Sequence, residues 1–127
     1  MSDAMDRVLE FHTAFNLPRQ SLPGVNAVPE RLANLRQDLI EEEVAELWEG
    51  VADADVVKIA DALADVVYVA YGTALTYGID LDAVLEEVHR SNMTKTANPD
   101  GGKVLKGRGY SPPDVLRVLS SQRELLR

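Results

Sequence analysis

The segment Leu35–Leu47, LRQDLIEEEVAEL, decides the fold class because it combines a helical stripe of leucines with acidic side chains on the same face. At about 100° per residue, Glu43 and Glu46 lie roughly 60° apart around a helix, beside Leu39 and Leu47. Leucines at these positions face a core, so the carboxylates point toward the same packed region. A helix that directs acids toward its packing face needs a partner for their charge.

Composition limits the class of protein. The chain has 127 residues, no cysteine and a formal net charge of -8, which suit one domain in a reducing compartment, without disulfides or thiolate metal sites. An acidic balance argues against binding of a nucleic-acid backbone. The N-terminus lacks the pattern of a signal peptide, and the longest apolar run is shorter than the roughly 20 residues of a membrane helix. We therefore expect a single cytoplasmic domain over residues 1–127, with no nucleic-acid or membrane partner.

Breaker residues divide the first half of the chain into helices. The first predicted helix covers residues 5–15 and ends at a loop rich in proline. Pro29 suits the first turn of a second helix, which runs to about Glu49 and meets Gly50, a favoured left-handed cap residue. The opening segment therefore belongs to the second helix.

Two further helices follow. Asp53 or Asp55 can cap the third helix, the most apolar element of the chain, which continues to Gly78. Asp80 caps a fourth helix that reaches about Thr96.

A glycine-rich loop then leads to a short last helix. Ser111, Pro112 and Asp114 begin this helix, which is predicted to end at Leu126. No segment alternates as a strand does, so the sequence predicts an all-α bundle of four or five helices.

The third helix carries a second anomalous acid. From Ala62 to Leu75 its one carboxylate is Asp65, and a helix that is apolar on nearly all sides is buried in a bundle or at a subunit interface. Asp61 lies one turn earlier, and Glu42 stands beside Glu43 on the second helix. Like charges at close range repel unless protons or cations intervene. A hard divalent cation such as Mg²⁺ prefers oxygen ligands and would satisfy these acids together.

Simpler explanations of the acids stay open. An acidic run such as EEE is typical of a solvated helix face. Asp65 could pair with Arg36 on the second helix, and Asp61 could pair with Lys58 one turn away.

Polar residues that could reach a phosphate or a base follow on the fourth helix and the loop after it. Asn92 and Lys95 continue the apolar line of the fourth helix, and Lys106 and Tyr110 lie in the loop GGKVLKGRGY. A solvated helix end and an ordinary basic segment are the alternatives.

These motifs together resemble the all-α nucleotide pyrophosphohydrolase superfamily, which includes phosphoribosyl-ATP pyrophosphohydrolases, MazG-type enzymes and dimeric dUTPases. The resemblance rests on four stretches in order: RQDLIEEEVAEL, DALADVVYVAYGTALTYGID, HRSNMTK and GGKVLKGRGYSPPD. The last two are most similar to the phosphoribosyl-ATP pyrophosphohydrolase-like branch.

The resemblance implies hydrolysis of a nucleoside triphosphate between its α and β phosphates, with Mg²⁺ as cofactor and Mn²⁺ as a substitute. It also implies that Asn92 and Lys95 contact the substrate. Many members carry E-x-x-D in the second motif, whereas Ala62 stands three residues before Asp65 here, so Asp61 is a candidate replacement ligand. The implied catalytic residues are Glu43 and Glu46, and the candidate metal ligands are Glu42, Glu43, Glu46, Asp61 and Asp65.

Other readings of the function remain open from the sequence. A di-iron carboxylate bundle normally uses two E-x-x-H motifs, and this chain has one, Glu86 with His89. A non-catalytic helical nucleotide-binding or interaction module is a further alternative.

The substrate and the oligomeric state are also open. A pyrimidine deoxynucleotide such as dUTP, a non-canonical nucleotide removed by house-cleaning, and a phosphoribosylated nucleotide are all compatible with the sequence. The apolar third helix predicts a homodimer or a larger homo-oligomer. Candidate base contacts are Phe11, His12, Phe15, Asn16 and Trp48.

Overall fold

The computed structural model describes residues 1–125 and is helical. Within these residues the one extended pairing joins Thr96 and Leu105, whose backbone N–H groups each donate to the other's carbonyl at 2.8 Å. The predicted all-α class is therefore confirmed. The helices are α1 (Asp3–Ala14), α2 (Glu30–Ala52), α3 (Val56–Thr76), α4 (Leu81–Asn92) and α5 (Val115–Ser120).

The chain forms two compact units. The first unit comprises Met1–Ile79 together with Glu124 and Leu125, and it holds α1, α2 and α3. The second unit comprises Asp80–Arg123 and holds α4 and α5. The assignment of residues 1–127 to a single domain stays a prediction.

In the first unit, side-chain caps fix the beginnings of α1 and α3. The Ser2 hydroxyl accepts a hydrogen bond from the Met5 N–H at 3.2 Å. Asp55 accepts from the N–H groups of Val57 and Lys58 at 3.0 and 3.3 Å. Asp55, not Asp53, is therefore the cap of α3, because only its side chain reaches the free amides of the first turn.

The end of α2 differs from the sequence prediction. Gly50 does not adopt a left-handed conformation; it is a buried residue inside α2, which continues to Ala52. A Cβ at Gly50 would lie 3.0 Å from the Ile59 backbone nitrogen and 3.1 Å from the Lys58 Cβ. Glycine is needed there because α3 passes close by, and the left-handed residue of the turn is Ala54, with a φ of 49°.

The α3 helix is apolar but incompletely covered by its own chain. Leu75 and Ala62 are buried, whereas Leu63, Val67 and Tyr68 are exposed. By length and mean hydropathy, criteria that core helices of soluble proteins also meet, this 21-residue helix could cross a membrane. Its carboxylates near the middle of such a span would oppose insertion, so we interpret α3 as a packing helix.

In the second unit, α4 ends earlier than predicted and α5 is shorter. Asp80 caps α4 as predicted, by accepting from the Ala83 N–H at 3.2 Å. The helix stops at Asn92 because the Thr94 hydroxyl donates to the Ser91 carbonyl at 2.6 Å and Thr96 then pairs with Leu105. Asp114 caps α5, which ends at Ser120, and Leu126, where that helix was predicted to end, lies outside the described residues.

A buried carboxylate holds the second unit together. Glu87 is 5% exposed and accepts from the side chain of Arg90 at 2.7 Å and from the Asp114 N–H at 2.7 Å. These bonds, with Arg90 first, lower the pKa of Glu87 to about 2. The charge of Glu87 therefore joins α4 to the start of α5.

Candidate metal centre

Three carboxylates of the first unit converge between α2 and α3. One oxygen from each of Glu43, Glu46 and Asp65 lies within 4.8 Å of the other two. Glu43 and Glu46 stand on adjacent turns of α2, and Asp65 faces them from α3. Among the described residues, no Lys or Arg lies within ion-pair distance of the three acids. The group therefore concentrates negative charge without a basic side chain to balance it.

Glu43 lies in an unfavourable environment for a negatively charged carboxylate. Its Oε2 atom is buried and has no hydrogen-bond partner in the described part of the chain. Burial raises the pKa of Glu43 to about 7, and the neighbouring carboxylate of Glu46, which can share a proton with it, acts in the same direction. The charges of Asp65 and Glu42 contribute further. A bound cation would reverse this effect, because it favours the ionised carboxylate.

The donor set and the spacing fit a hard divalent cation. Mg²⁺ and Ca²⁺ bind carboxylate oxygens at about 2.1 and 2.6 Å, so two oxygens on opposite sides of such an ion lie roughly 4.2 to 5.2 Å apart. The three carboxylate oxygens, none of them more than 4.8 Å from another, therefore lie close enough together to share one hard divalent cation. With its unpartnered buried oxygen, the group is a candidate site for a divalent cation.

The other two predicted ligands lie outside this group. Glu42 is exposed and acts on Glu43 only through its charge. Asp61 is also exposed and belongs to no cluster of three or more acids in the described residues. The alternative in which Lys58 pairs with Asp61 is not observed, because Lys58 bonds Asp53 at 2.8 Å across the turn between α2 and α3.

Arg36 does not neutralise Asp65, so that simpler explanation of the acid is wrong. The guanidinium is 8% exposed and donates to the Val69 carbonyl at 2.9 Å and to the Thr73 hydroxyl at 3.1 Å. Burial lowers the pKa of Arg36. A buried arginine held by backbone was not anticipated from the sequence, although its position seven residues before Glu43, on the same helix face, was a usable signal.

Gly72 and His12 lie next to the Arg36 guanidinium. A Cβ at Gly72 would lie 2.6 Å from Arg36 Nη2 and 2.8 Å from His12 Nε2, so glycine leaves the space that both side chains occupy. His12 is 2% exposed. Burial, and then the charge of Arg36, lower the pKa of His12. The imidazole therefore packs as a neutral group against Arg36.

The predicted substrate contacts belong to the second unit. Asn92 is the last residue of α4 and is exposed, whereas Lys95 lies beyond the helix in a turn and is half-buried. Lys95 therefore does not share a helix face with Asn92 as predicted, because α4 has already ended. Lys106 places its ammonium 5.3 Å from the centre of the Tyr110 ring, a cation–π contact.

The five candidate residues for contacts with a base differ in their burial. His12 is buried, whereas Phe11, Phe15, Asn16 and Trp48 are exposed. Phe11 contacts Phe15 with ring centres 4.8 Å apart and Tyr68 edge-on at 5.5 Å. These contacts give the exposed rings a packing partner within the first unit.

The described residues do not contain the ligand group of a di-iron centre. Glu86 and His89 are both exposed on α4. The one group of three potential ligands in the described part of the chain is purely carboxylate. Hard oxygen donors without histidine favour Mg²⁺, Mn²⁺ or Ca²⁺ over iron.

Comparison with known proteins agrees with this fold. The family model described as phosphoribosyl-ATP pyrophosphohydrolase matches residues 8–92, more than half of the chain and the whole of α2, α3 and α4. The class so defined is that of all-α nucleotide pyrophosphohydrolases, which are hydrolases acting on phosphoric anhydrides. The chain belongs to the phosphoribosyl-ATP pyrophosphohydrolase family.

A viral protein is also similar in sequence. "Uncharacterized protein L479" of Acanthamoeba polyphaga mimivirus is 34% identical over 90 residues, which make up 68% of this chain and 36% of the viral protein. The chain thus spans about a third of the length of that relative.

Proposed function

We propose that this protein hydrolyses a nucleoside triphosphate to the monophosphate and pyrophosphate, with a divalent cation held by Glu43, Glu46 and Asp65. Mg²⁺ is the proposed ion and Mn²⁺ its substitute. The observation that carries the proposal is the convergence of these three acids within 4.8 Å, without a described Lys or Arg to balance them. Membership of a pyrophosphohydrolase family supports the reaction type.

The proposed reaction is a substitution at the α-phosphorus. The oxygen of water forms a bond to that phosphorus, and the bond to the oxygen bridging the α and β phosphates breaks, so pyrophosphate leaves with the electron pair. One of the two glutamates, Glu43 or Glu46, orients the attacking water and accepts its proton. A bound cation would neutralise the phosphate oxygens and the charge that develops on them.

Further parts of the proposal concern ligands and substrate contacts. Glu42 and Asp61 are proposed as outer contributors to the site through their charge or through water. Asn92, Lys95, Lys106 and Tyr110 are proposed to contact the nucleotide.

Substitution of a phosphate-binding lysine weakens substrate binding more than chemistry, so Lys95→Ala is expected to raise KM more than it lowers kcat. The nucleotide itself is proposed to be dUTP or a non-canonical nucleotide, and the compartment the cytoplasm.

A colorimetric screen for released phosphate, with inorganic pyrophosphatase added, tests the activity across canonical and modified nucleotides. Release is expected only with Mg²⁺ or Mn²⁺. Glu46→Gln and Asp65→Asn keep the shape of each side chain and remove its charge, so they are expected to lower kcat by roughly 100-fold or more while the helical circular dichroism is preserved.

Glu41→Gln is the matched control. Glu41 lies on the same helix but is exposed and outside the acidic group, so this variant should keep wild-type activity. Turnover retained by both site variants would refute the assignment. Inactivity of the wild type on every nucleotide would favour a non-catalytic nucleotide-binding module, and activity or colour dependent on iron would favour a di-iron protein.

A further inference from the structure

Arg36 makes its contacts away from the acidic group, on the same pair of helices. Its Nη2 donates to the Val69 carbonyl at 2.9 Å, and its Nε donates to the Thr73 hydroxyl at 3.1 Å. The Thr73 hydroxyl in turn donates to the Val69 carbonyl at 2.9 Å. We call these three residues, with Gly72, the Arg36 clamp.

The Arg36 clamp is buried and its charge has no acidic partner among the described residues. The guanidinium is 8% exposed, and its hydrogen-bond partners in the described part of the chain are a carbonyl and a hydroxyl of α3. A hydrophobic side chain of similar length would fill the same space without the cost of burying a charge. The arginine adds a geometric constraint, because the N–H groups of its planar guanidinium fix the positions of the carbonyl and the hydroxyl that accept from them.

The clamp lies close to the acids along both helices. Arg36 precedes Glu43 by two helical turns, about 10 Å along α2, and Val69 follows Asp65 by one turn, about 6 Å along α3. A slip of one residue between the helices would move their facing side chains by about 1.5 Å along the axis and rotate them by about 100°. Such a slip would remove Asp65 from the two glutamates.

Gly72 makes the clamp specific to one register. A Cβ there would lie 2.6 Å from Arg36 Nη2, so the guanidinium fits over α3 only where the side chain is absent. A shift in either direction would bring the guanidinium against Tyr71 or Thr73 in place of Gly72.

From these contacts we infer that Arg36 is a positioning residue: it fixes the register of α2 against α3 and thereby brings Asp65 to Glu43 and Glu46. This inference rests on the proposed function insofar as the acids bind a cation. It concerns the buried contacts of Arg36 and requires no contact between Arg36 and the substrate.

Distance measurements between the helices test the register directly. The chain has no cysteine, so spin labels can be placed at Asp38→Cys on α2 and Val57→Cys on α3, both exposed positions. Pulsed electron spin resonance would compare the wild-type background with Arg36→Met, which removes the donors and keeps an unbranched stem. We expect the distance distribution to shift or broaden by about 1.5 Å or more, the displacement of a one-residue slip.

Binding of Mn²⁺, followed by its own spin resonance, tests the consequence for the acids. Arg36→Met is expected to weaken Mn²⁺ binding by roughly tenfold or more, as loss of a residue that orients metal ligands does. Arg36→Lys, which keeps the charge and one donor nitrogen, should restore part of the affinity. The matched control is Arg31→Met, which removes an exposed arginine from the same helix and should bind as the wild type does.

Each outcome decides the inference. An unchanged label distance in Arg36→Met, or a changed distance with unchanged Mn²⁺ affinity, would overturn it. If the wild type binds no Mn²⁺, the proposed function fails, and the label distances alone still decide whether Arg36 sets the register. Should Arg36→Met lose helical content, Thr73→Val removes one acceptor at nearly constant volume and is measured in the same way.

Discussion

At the scale of single residues, Glu43 combines a packing position with an ionisable group. Burial and the neighbouring carboxylate of Glu46 raise its pKa to about 7, so the metal-free protein is stabilised by protonation of Glu43 and loses that stabilisation as the pH rises from 4.5 through 7. The same arrangement suits the proposed function, since converging acids can share a cation more readily than dispersed acids can.

Glu43→Gln is therefore expected to stabilise the metal-free protein at neutral pH, because it removes a negative charge from beside Glu46 and Asp65. A gain of about 1 kcal/mol would raise the thermal midpoint by roughly 4 °C in a chain of this size. Thermal unfolding with and without Mg²⁺ measures both effects.

The same variant should lose most of the stabilisation that Mg²⁺ gives to the wild type. Glu41→Gln again serves as the control. A wild type whose midpoint does not respond to any divalent cation would contradict the metal site.

His12 makes the free energy of unfolding depend on pH with a sign opposite to that of the Glu43 effect. Burial and the charge of Arg36 lower its pKa below 6.5, so the unfolded chain takes up a proton that the folded chain excludes. Above pH 6.5, His12 therefore gives the free energy of unfolding no dependence on pH. Below pH 6.5, this residue makes the free energy of unfolding decrease as the pH falls, by at most about 1.4 kcal/mol per pH unit for one proton.

Urea unfolding above and below pH 6.5 tests this in the wild type and in His12→Gln. The difference between the two proteins removes the contribution of Glu43, which both share. Stability of the variant should fall less on acidification. Equal slopes would show that folding does not lower the pKa of His12.

At the scale of helices, Gly50 decides how closely α2 and α3 approach. Alanine has a helix propensity better than that of glycine by about 1 kcal/mol, yet Gly50→Ala is expected to destabilise the protein, because overpacking costs about 1–3 kcal/mol. The neighbour of the added Cβ, 3.0 Å away, is the backbone nitrogen of Ile59, which cannot rotate aside.

Chemical denaturation of Gly50→Ala and of Ala45→Gly compares the two effects. Ala45 is exposed on the same helix, so its replacement reports propensity without packing. A Gly50→Ala variant more stable than the wild type would show that the helices separate easily.

The helices themselves were largely predictable from sequence because their beginnings are set by local chemistry. Asp55 and Asp80 cap α3 and α4 through side chains that any sequence analysis can see. The ends were less predictable. The sequence predicts a cap at Gly50, whereas the role of this residue depends on α3, and it predicts α4 to reach Thr96, whereas the end of that helix depends on bonds from Thr94 and Leu105.

The candidate site could likewise be predicted only in part from the sequence. Helical spacing placed Glu43 and Glu46 on one face and marked Asp65 as an anomalous acid. Spacing within one helix does not give the axial level of the helix beside it, so it could not separate Asp65 from Asp61, one turn away. It also could not show that Arg36 bonds Val69 and not an acid.

At the scale of the whole molecule, an apolar surface of the first unit is left uncovered by the residues that the structure describes. A groove of about 390 Å³ runs between α1 and α3, and several of its residues are large and exposed. We propose that a second copy of the chain covers it, since two helix pairs with matching apolar faces can form a four-helix arrangement. The groove is lined by Ala4, Arg7, Val8, Leu63, Ala64, Val67, Tyr68 and Tyr71.

Val67→Asp is accordingly expected to weaken self-association by roughly 100-fold, because it would bury a charge in an apolar interface. Light scattering coupled to size exclusion measures the mass. The control is Val57→Asp, an exposed position on α3 outside the groove, which should assemble as the wild type does. A monomeric wild type would refute the proposed dimer.

The short connection between α2 and α3 has a consequence for synthesis on the ribosome. The three acids lie on two consecutive helices joined only by Asp53–Asp55, so their meeting closes a small loop. Chains emerge N-terminus first, and this hairpin is complete before the residues from Asp80 onward are needed. A nascent chain can therefore bring its three converging acids together while translation of the remainder is still in progress.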